Sequence, residues 1–137
     1  MTYLGIDFGT VRIGLAIATD ETPSVPYGTL ESSNLKSQIS KVVDVIRKEY
    51  VDVVVVGRPK AMRGSDKTEI EKKTEEFVKV LTTYDLPLTS IVWQDERLSS
   101  KGADALKKEF GGSGQRDAVA AMLILDSYLS KQDKQDK

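Results

Sequence analysis

The sequence predicts an α/β fold: a five-stranded mixed sheet in the order 3-2-1-4-5, with helices on both faces. Three observations carry this expectation. Three strand-like segments joined by short links fill the first 32 residues. After them, apolar runs alternate with stretches of helical spacing, as in units where a helix carries the chain between parallel strands. The run VDVVVVG (51–57) is unbroken and β-branched, the pattern of a central strand buried on both faces.

YLGIDF (3–8) and VRIGLAIA (11–18) are the first two strands, joined by a tight turn at Gly9-Thr10. YGTLES (27–32), after the Pro-containing link TPSVP, is the third. Short connections make these three antiparallel. Residues 34–50 place Leu35, Ile39, Val42, Val43 and Ile46 on one helical face. That helix is long enough for a right-handed crossover, which sets 51–57 parallel to the first strand. RPKAMRGS (58–65) is a loop. Ser65 or Asp66 can cap a charged helix over 66–84 that turns Ile70, Phe77, Val80 and Leu81 inward. LTSIVWQ (88–94) is the fifth strand, SSKGADALKKEF (99–110) a short helix, and GGSGQ (111–115) a flexible break. RDAVAAMLILDSYL (116–129) is a strongly apolar last helix. The chain thus reads as one domain over 1–130, and the Lys-Gln-Asp repeats of 131–137 as a disordered tail.

Composition narrows the chemistry. With 20 Lys+Arg against 21 Asp+Glu, no global basic field attracts nucleic acid, so such a partner must be held by a local patch or through metal ions. There is no cysteine and no histidine, which removes thiolate chemistry, the commonest general base and the commonest metal ligand. A chain of 137 residues buries roughly two-thirds of its unfolded surface, enough for a core. No apolar stretch approaches about 18 residues and no leader pattern opens the chain, so the expectation is a soluble, cytoplasmic protein without a membrane partner.

Carboxylates remain. Asp7 lies between Ile6 and Phe8, where an unpaired charge is costly. In sheets of this order ligands bind beyond the carboxyl ends of the parallel strands, where the strand order reverses, and Asp7 stands there. QDERL brings Asp95 and Glu96 to the same edge; neighbours on a strand point to opposite faces, so one of the two can aim at the centre. Asp117 opens the last helix, whose AVAAM allows close packing on the sheet; beside the first strand, Asp117 would face Asp7. Converging carboxylates suit Mg²⁺ or Mn²⁺, hard cations that take oxygen ligands. Two such ions about 3.5–4 Å apart activate water and stabilise the leaving oxygen in phosphodiester cleavage. Each residue also has a plainer reading: Asp7 as a cap of the Gly9-Thr10 turn, Glu96 as an ion-pair partner of Arg97 or Arg58, Asp117 as a helix-dipole partner. Arg58, Lys60 and Arg63 give the loop after the fourth strand three positive charges and no negative one, which suits phosphate positioning, with Arg12 nearby.

GIDFGTVRIGLAIA, VVVVGRPKAMRGS, WQDERLSS and RDAVAAMLILDSYL, in this order over nearly the whole chain, resemble the YqgF (RuvX) family. The resemblance implies a ribonuclease H-like fold related to Holliday-junction resolvases. It implies a nuclease that matures the 5′ end of the 16S ribosomal RNA precursor, or, in an older reading, resolves DNA junctions. It implies Asp7, Glu96 and Asp117 as the catalytic, metal-binding carboxylates, and structured RNA or branched DNA as partner of a monomer or homodimer. Arg97, beside Glu96, joins the nucleic-acid contacts. Two features depart from the relatives: the fourth strand ends in VGRP without a carboxylate, and the short FGGSGQ replaces a Lys-rich stretch before the last helix. Two rival readings stand beside this one. GIDFGT is similar to the phosphate hairpin of the actin, Hsp70 and sugar-kinase fold, which needs two domains and a second hairpin that this chain lacks. A binding module that retains the fold without the chemistry would tolerate Asp-to-Asn changes.

Overall fold

The structure is a computed structural model. It describes residues 1–8, 12–31, 34–58, 69–95 and 113–135, with the backbone alone at 58, 95, 113–117 and 132–135. The element order is β1 (Thr2–Phe8), β2 (Arg12–Thr19), β3 (Val25–Glu31), α1 (Leu35–Lys48), β4 (Val53–Arg58), α2 (Glu69–Leu81), β5 (Ser90–Asp95) and α3 (Ser113–Gln135). The sheet runs β3-β2-β1-β4-β5, as the sequence predicts. β1 pairs antiparallel with β2 and parallel with β4, and β4 pairs parallel with β5.

Alternation along the strands divides the molecule into two cores. Leu4, Ile6, Phe8, Ile13, Leu15, Val54 and Val56 face α1 and α2, where Ile39, Val42, Val43, Ile46, Phe77 and Leu81 cover them. The Phe8 and Phe77 rings meet edge to face, with centroids 4.8 Å apart. Tyr3, Ala16, Ala18, Val53 and Val55 face the other way, against Ala121, Ile124 and Leu125 of α3. β4 is apolar on both sides because its valines serve both cores, each fully buried side chain contributing about 1.5–3 kcal/mol.

Asn34 caps α1: its side chain accepts from the Ser37 N–H at 3.1 Å, and Arg47 and Lys48 occupy the last turn, where the dipole favours cations. Tyr50, at φ 54°, turns the chain out of the helix in the left-handed region. Asp52 then clamps the amino ends of three strands. Its N–H donates to the Thr2 carbonyl at 2.8 Å and its carboxylate accepts from the Thr2 N–H at 2.8 Å. Its carbonyl accepts from the Thr89 N–H at 2.7 Å. This clamp locks β1, β4 and β5 in one register, which fixes the residues that align at the opposite, carboxyl edge.

Several boundaries differ from expectation: β3 begins at Val25 rather than 27, inside the Pro-containing link, and β5 at Ser90 rather than 88. α2 ends at Leu81 rather than 84, the chain leaving in turns held by Thr82 and Thr83 side chains bonded back to the Lys79 and Val80 carbonyls. α3 begins at Ser113, inside the stretch expected as a flexible break. Its backbone continues through Gln135, into the 131–137 segment that the sequence reads as a tail. Lys and Gln are good helix formers, and a helix already anchored on the sheet extends without a new nucleation cost. The Gly9-Thr10 turn, the Ser65 or Asp66 cap and the short helix over 99–110 lie outside the described residues. Among the described residues no helix is long and apolar enough to cross a membrane.

Candidate functional site

Asp7 ends the innermost strand on the face covered by α3. Tyr3, Gly5 and Asp7 share that face by period-two alternation. The Tyr3 ring lies 6.3 Å from that of Tyr128. A Cβ on Gly5 would stand 2.8 Å from the Ala121 carbonyl oxygen and 3.1 Å from the Leu125 Cβ. Glycine here is therefore a condition of the helix seat. The contacts also fix the direction of α3: moving from Tyr128 through Leu125 to Ala121 moves along β1 from Tyr3 to Gly5. One helical turn further toward the amino end of α3 is position 117, and one step of two residues along β1 is Asp7. The backbone thus brings the Asp7 and Asp117 positions to the same edge, on facing elements. The helix starts four residues earlier than Asp117, so Asp117 belongs to the second turn and not, as the sequence alone suggests, to the first; no acidic residue stands in the first turn.

Asp7 stands in a row of residues that cross the sheet on the α3 face. Its partner on β2 is Gly14, which in turn pairs with Thr29 of β3. On the other side, one step beyond the paired Ile6 and Val56, lies Gly57, which pairs with Gln94 of β5. The row reads Thr29, Gly14, Asp7, Gly57, Gln94. The residues level with Asp7 on both flanking strands are therefore glycines. Gly57 belongs to the same VGRP whose missing carboxylate distinguishes this chain. On β5, Val92 packs with the α3 core, Ile91 and Trp93 pack with the other core, and Gln94 returns to the α3 face, 5% exposed.

The remaining predicted residues divide sharply. Arg12 begins β2 at the same edge as Asp7, half-buried and opposite Glu31 of β3 in register. Asp7 and Arg12 each take part in polar or electrostatic contacts of their own. Arg58 and Asp95 end β4 and β5 directly opposite one another in register. Lys60, Arg63, Glu96 and Arg97 lie outside the described residues. Among the described residues no three acidic side chains form a metal-holding group. Sequence reasoning passes over Gly5, Gly14, Gly57 and Gln94. The first three lack functional groups and signal themselves only once the register is known. Gln94 is legible as a polar residue on an apolar strand.

The same edge-on arrangement of sheet and helices occurs in known proteins. The family described as RuvX: Holliday junction resolvase matches residues 1–131. A protein of Maridesulfovibrio salexigens named "Putative pre-16S rRNA nuclease" is 34% identical over 138 residues, covering 96% of this chain and 99% of the relative. One of the same name from Chlamydia caviae is 36% identical, covering 93% of this chain and 82% of the relative. Among solved structures, Thermus thermophilus RuvC in complex with a Holliday junction substrate superposes with a TM-score of 0.62 at 16% identity, over 96% of each chain. Fowlpox virus resolvase with its junction DNA superposes at 0.60 and 15% identity, over 96% of this chain and 99% of the viral one. These likenesses establish the fold as ribonuclease H-like. With a family match over nearly the whole length and relatives above 30% identity, the chain belongs to the RuvX Holliday junction resolvase family.

Proposed function

We propose that this chain is a divalent-metal-dependent nuclease that hydrolyses phosphodiester bonds in structured RNA, in 5′-end processing of the 16S ribosomal RNA precursor. The observation that carries the reading is Asp7: a carboxylate at the carboxyl end of the innermost strand, flanked by Gly14 and Gly57, with position 117 of α3 facing the same edge. The names of the sequence relatives supply the RNA substrate.

The donor chemistry fits Mg²⁺ or Mn²⁺. Only oxygen ligands are on offer in a chain without His or Cys, and carboxylates are what these cations select. Asp7, Glu96 and Asp117 are the ligands in this proposal. Glu96 enters this set through the DER motif that resembles the family's. Bound there, the metal supplies an activated water and neutralises charge on the leaving oxygen. The chain's own part is to hold the carboxylates on rigid elements and to place the phosphodiester. Arg12, Arg58, Lys60, Arg63 and Arg97 serve the second task by pairing with phosphates around the scissile bond, whichever sequence it lies in. The protein works in the cytoplasm, as a monomer or homodimer.

Asp7→Asn tests the reading. It keeps the shape of the side chain and removes the charge. Cleavage of precursor ribosomal RNA in Mn²⁺ is expected to be lost, with the fold retained. Mn²⁺ is expected to raise the melting temperature of the parent more than that of the variant, because a ligand bound only by the folded state stabilises it by mass action. Undiminished cleavage by the variant overturns the proposal and leaves Asp7 as a turn cap. Junction resolution is the second reading, favoured by the superposition on resolvases. A synthetic four-way junction cut by symmetric paired incisions, with precursor RNA left intact, would decide for it. Binding to RNA that survives Asp7→Asn without cleavage by either protein would decide for a non-catalytic module.

A further inference from the structure

The two outer strands of the sheet are built differently. β3 carries Pro26, and a bulge between Leu15 and Ala16 interrupts its ladder with β2. Both features discourage a further strand from pairing. β5 pairs with β4 alone among the described residues. Its run SIVWQ (90–94) holds no Pro, Gly or charge, and Ile91, Val92 and Trp93 are only half-buried. Beside the amino end of β5, between the end of α2 and the link that follows it, lies an open cleft of about 320 Å³. Leu81, Tyr84, Leu86, Leu88 and Ile91 line it, with one threonine and one serine. Leu86, Leu88 and Ile91 rest on the core beneath, and Tyr84 is 41% exposed. The chain connections at this amino edge, 20–24, 49–52 and 82–89, carry Asp20, Glu21, Glu49, Asp52 and Asp85 and no Lys or Arg. Asp20 is paired with the Met1 amino group. Arg47, Lys48 and Lys79 stand in the last turns of α1 and α2, where the helix dipoles hold cations.

We propose that the outer edge of β5 and the cleft beside it receive an extended, basic segment of another protein, paired to β5 as an added strand, with one large apolar side chain seated among Tyr84, Leu86, Leu88 and Ile91. In recognition of this kind the main-chain hydrogen bonds supply affinity and a pocket for an alternate side chain supplies selectivity. The acidic connections set the sign of the partner: they attract lysine and arginine and repel phosphate, so the occupant is a peptide and not RNA. The cleft lies at the opposite ends of the parallel strands from Asp7, so a protein held there leaves the Asp7 edge open to nucleic acid.

The probe is the synthetic peptide Lys-Thr-Lys-Leu-Lys-Thr-Lys, titrated into the full chain by calorimetry. Trp93, the single tryptophan, stands on β5 and reports the same binding by fluorescence. The Leu peptide is expected to bind about 10–100-fold tighter than its Leu-to-Ser version, the difference that burial of one leucine brings. A version with Glu in place of every Lys should bind at least tenfold more weakly. Backbone N-methylation of the Leu peptide, which removes its strand-pairing donors, should cost at least as much. Tyr84→Ser and Leu86→Gln should each remove most of the preference for Leu over Ser. Both should cleave precursor RNA as the parent does, since neither belongs to the Asp7 edge. Tyr84 is exposed, so its variant provides the reading if Leu86→Gln does not fold; melting curves identify the folded variant. No binding of the Leu peptide, equal affinity for the Leu and Ser peptides, or an N-methylated peptide bound as tightly overturns the proposal. Sedimentation showing a dimer at micromolar concentration that a folded Leu86→Gln dissociates also overturns it, and gives the cleft to a second copy of this chain.

Discussion

At the amino edge of the sheet Tyr3, Asp20 and Met1 are matched to one another on the spot. The Tyr3 hydroxyl donates to Asp20 at 2.7 Å, and the other oxygen of Asp20 accepts from the Met1 amino group at 2.8 Å. Burial and this bond push the Tyr3 hydroxyl up to about 12, while the same bonds hold Asp20 below the usual carboxylate value. The raised value means that the fold favours neutral tyrosine over the unfolded chain, which ionises near 10. The stabilisation is therefore complete below pH 10 and is lost as pH rises to about 12. Tyr3→Phe should remove that part of the alkaline decline and cost about 1–3 kcal/mol at neutral pH, since a hydrogen bond to a charged acceptor goes with it. Thermal melts of parent and variant across pH 8–12 check both; parallel curves would show that Tyr3 does not carry the titration. At the carboxyl edge the residues level with Asp7 on both neighbouring strands are glycines.

Among the elements, α3 has the most consequential seat. It crosses β1 over Gly5, where backbone touches backbone, and Ser24 is hydrogen-bonded to Asp126 further along the helix. Gly5→Ala puts a methyl 2.8 Å from the Ala121 carbonyl, a clash that must be relieved by moving the helix. Overpacking of this kind costs typically 1–3 kcal/mol. The expected result is a lower melting temperature and, because position 117 travels with the helix, a loss of cleavage at temperatures where the variant is still folded. A variant as stable and as active as the parent would mean that the helix does not set the position of Asp117. Ile124→Ala, one turn away in the same core, should cost about 2–5 kcal/mol through its cavity and serves to separate stability from alignment.

For the molecule as a whole, a net charge of −1 leaves no long-range pull on nucleic acid, so binding has to be local. Arg58 ends β4 at the edge that carries Asp7, and Lys60 and Arg63 follow it in the sequence with no acidic residue between them. Replacing the three with Ala should weaken RNA binding at all sequences alike. It should also flatten the slope of log K against log salt by roughly 0.7 to 0.9 for each phosphate that is no longer neutralised. A titration of affinity between low and moderate salt measures this; an unchanged slope would return these residues to ordinary solvated surface.

The sheet order, both helical crossovers and the edge carrying Asp7 were legible in the sequence, because each depends on local pattern. Valines in an unbroken run specify a doubly buried strand, 34–50 shows one apolar face at helical spacing, and a lone Asp in an apolar strand advertises its cost. The sequence also identified Asp7, Glu96 and Asp117 as the candidate set, through motifs spread over the chain. It misplaced the start of α3, since docking on the sheet, and not propensity alone, carries the helix back to Ser113. What only tertiary structure decided is register. Asp52 ties β1, β4 and β5 together at the amino edge, and that tie aligns Asp7, Gly57 and Gln94 in one row at the other, to which the β1–β2 ladder adds Gly14. Residues 14, 57 and 94 are distant in sequence and individually ordinary. They become neighbours of one carboxylate only because hydrogen bonds between strands fix which residue stands opposite which, and a shift by one residue would turn every one of them to the other face.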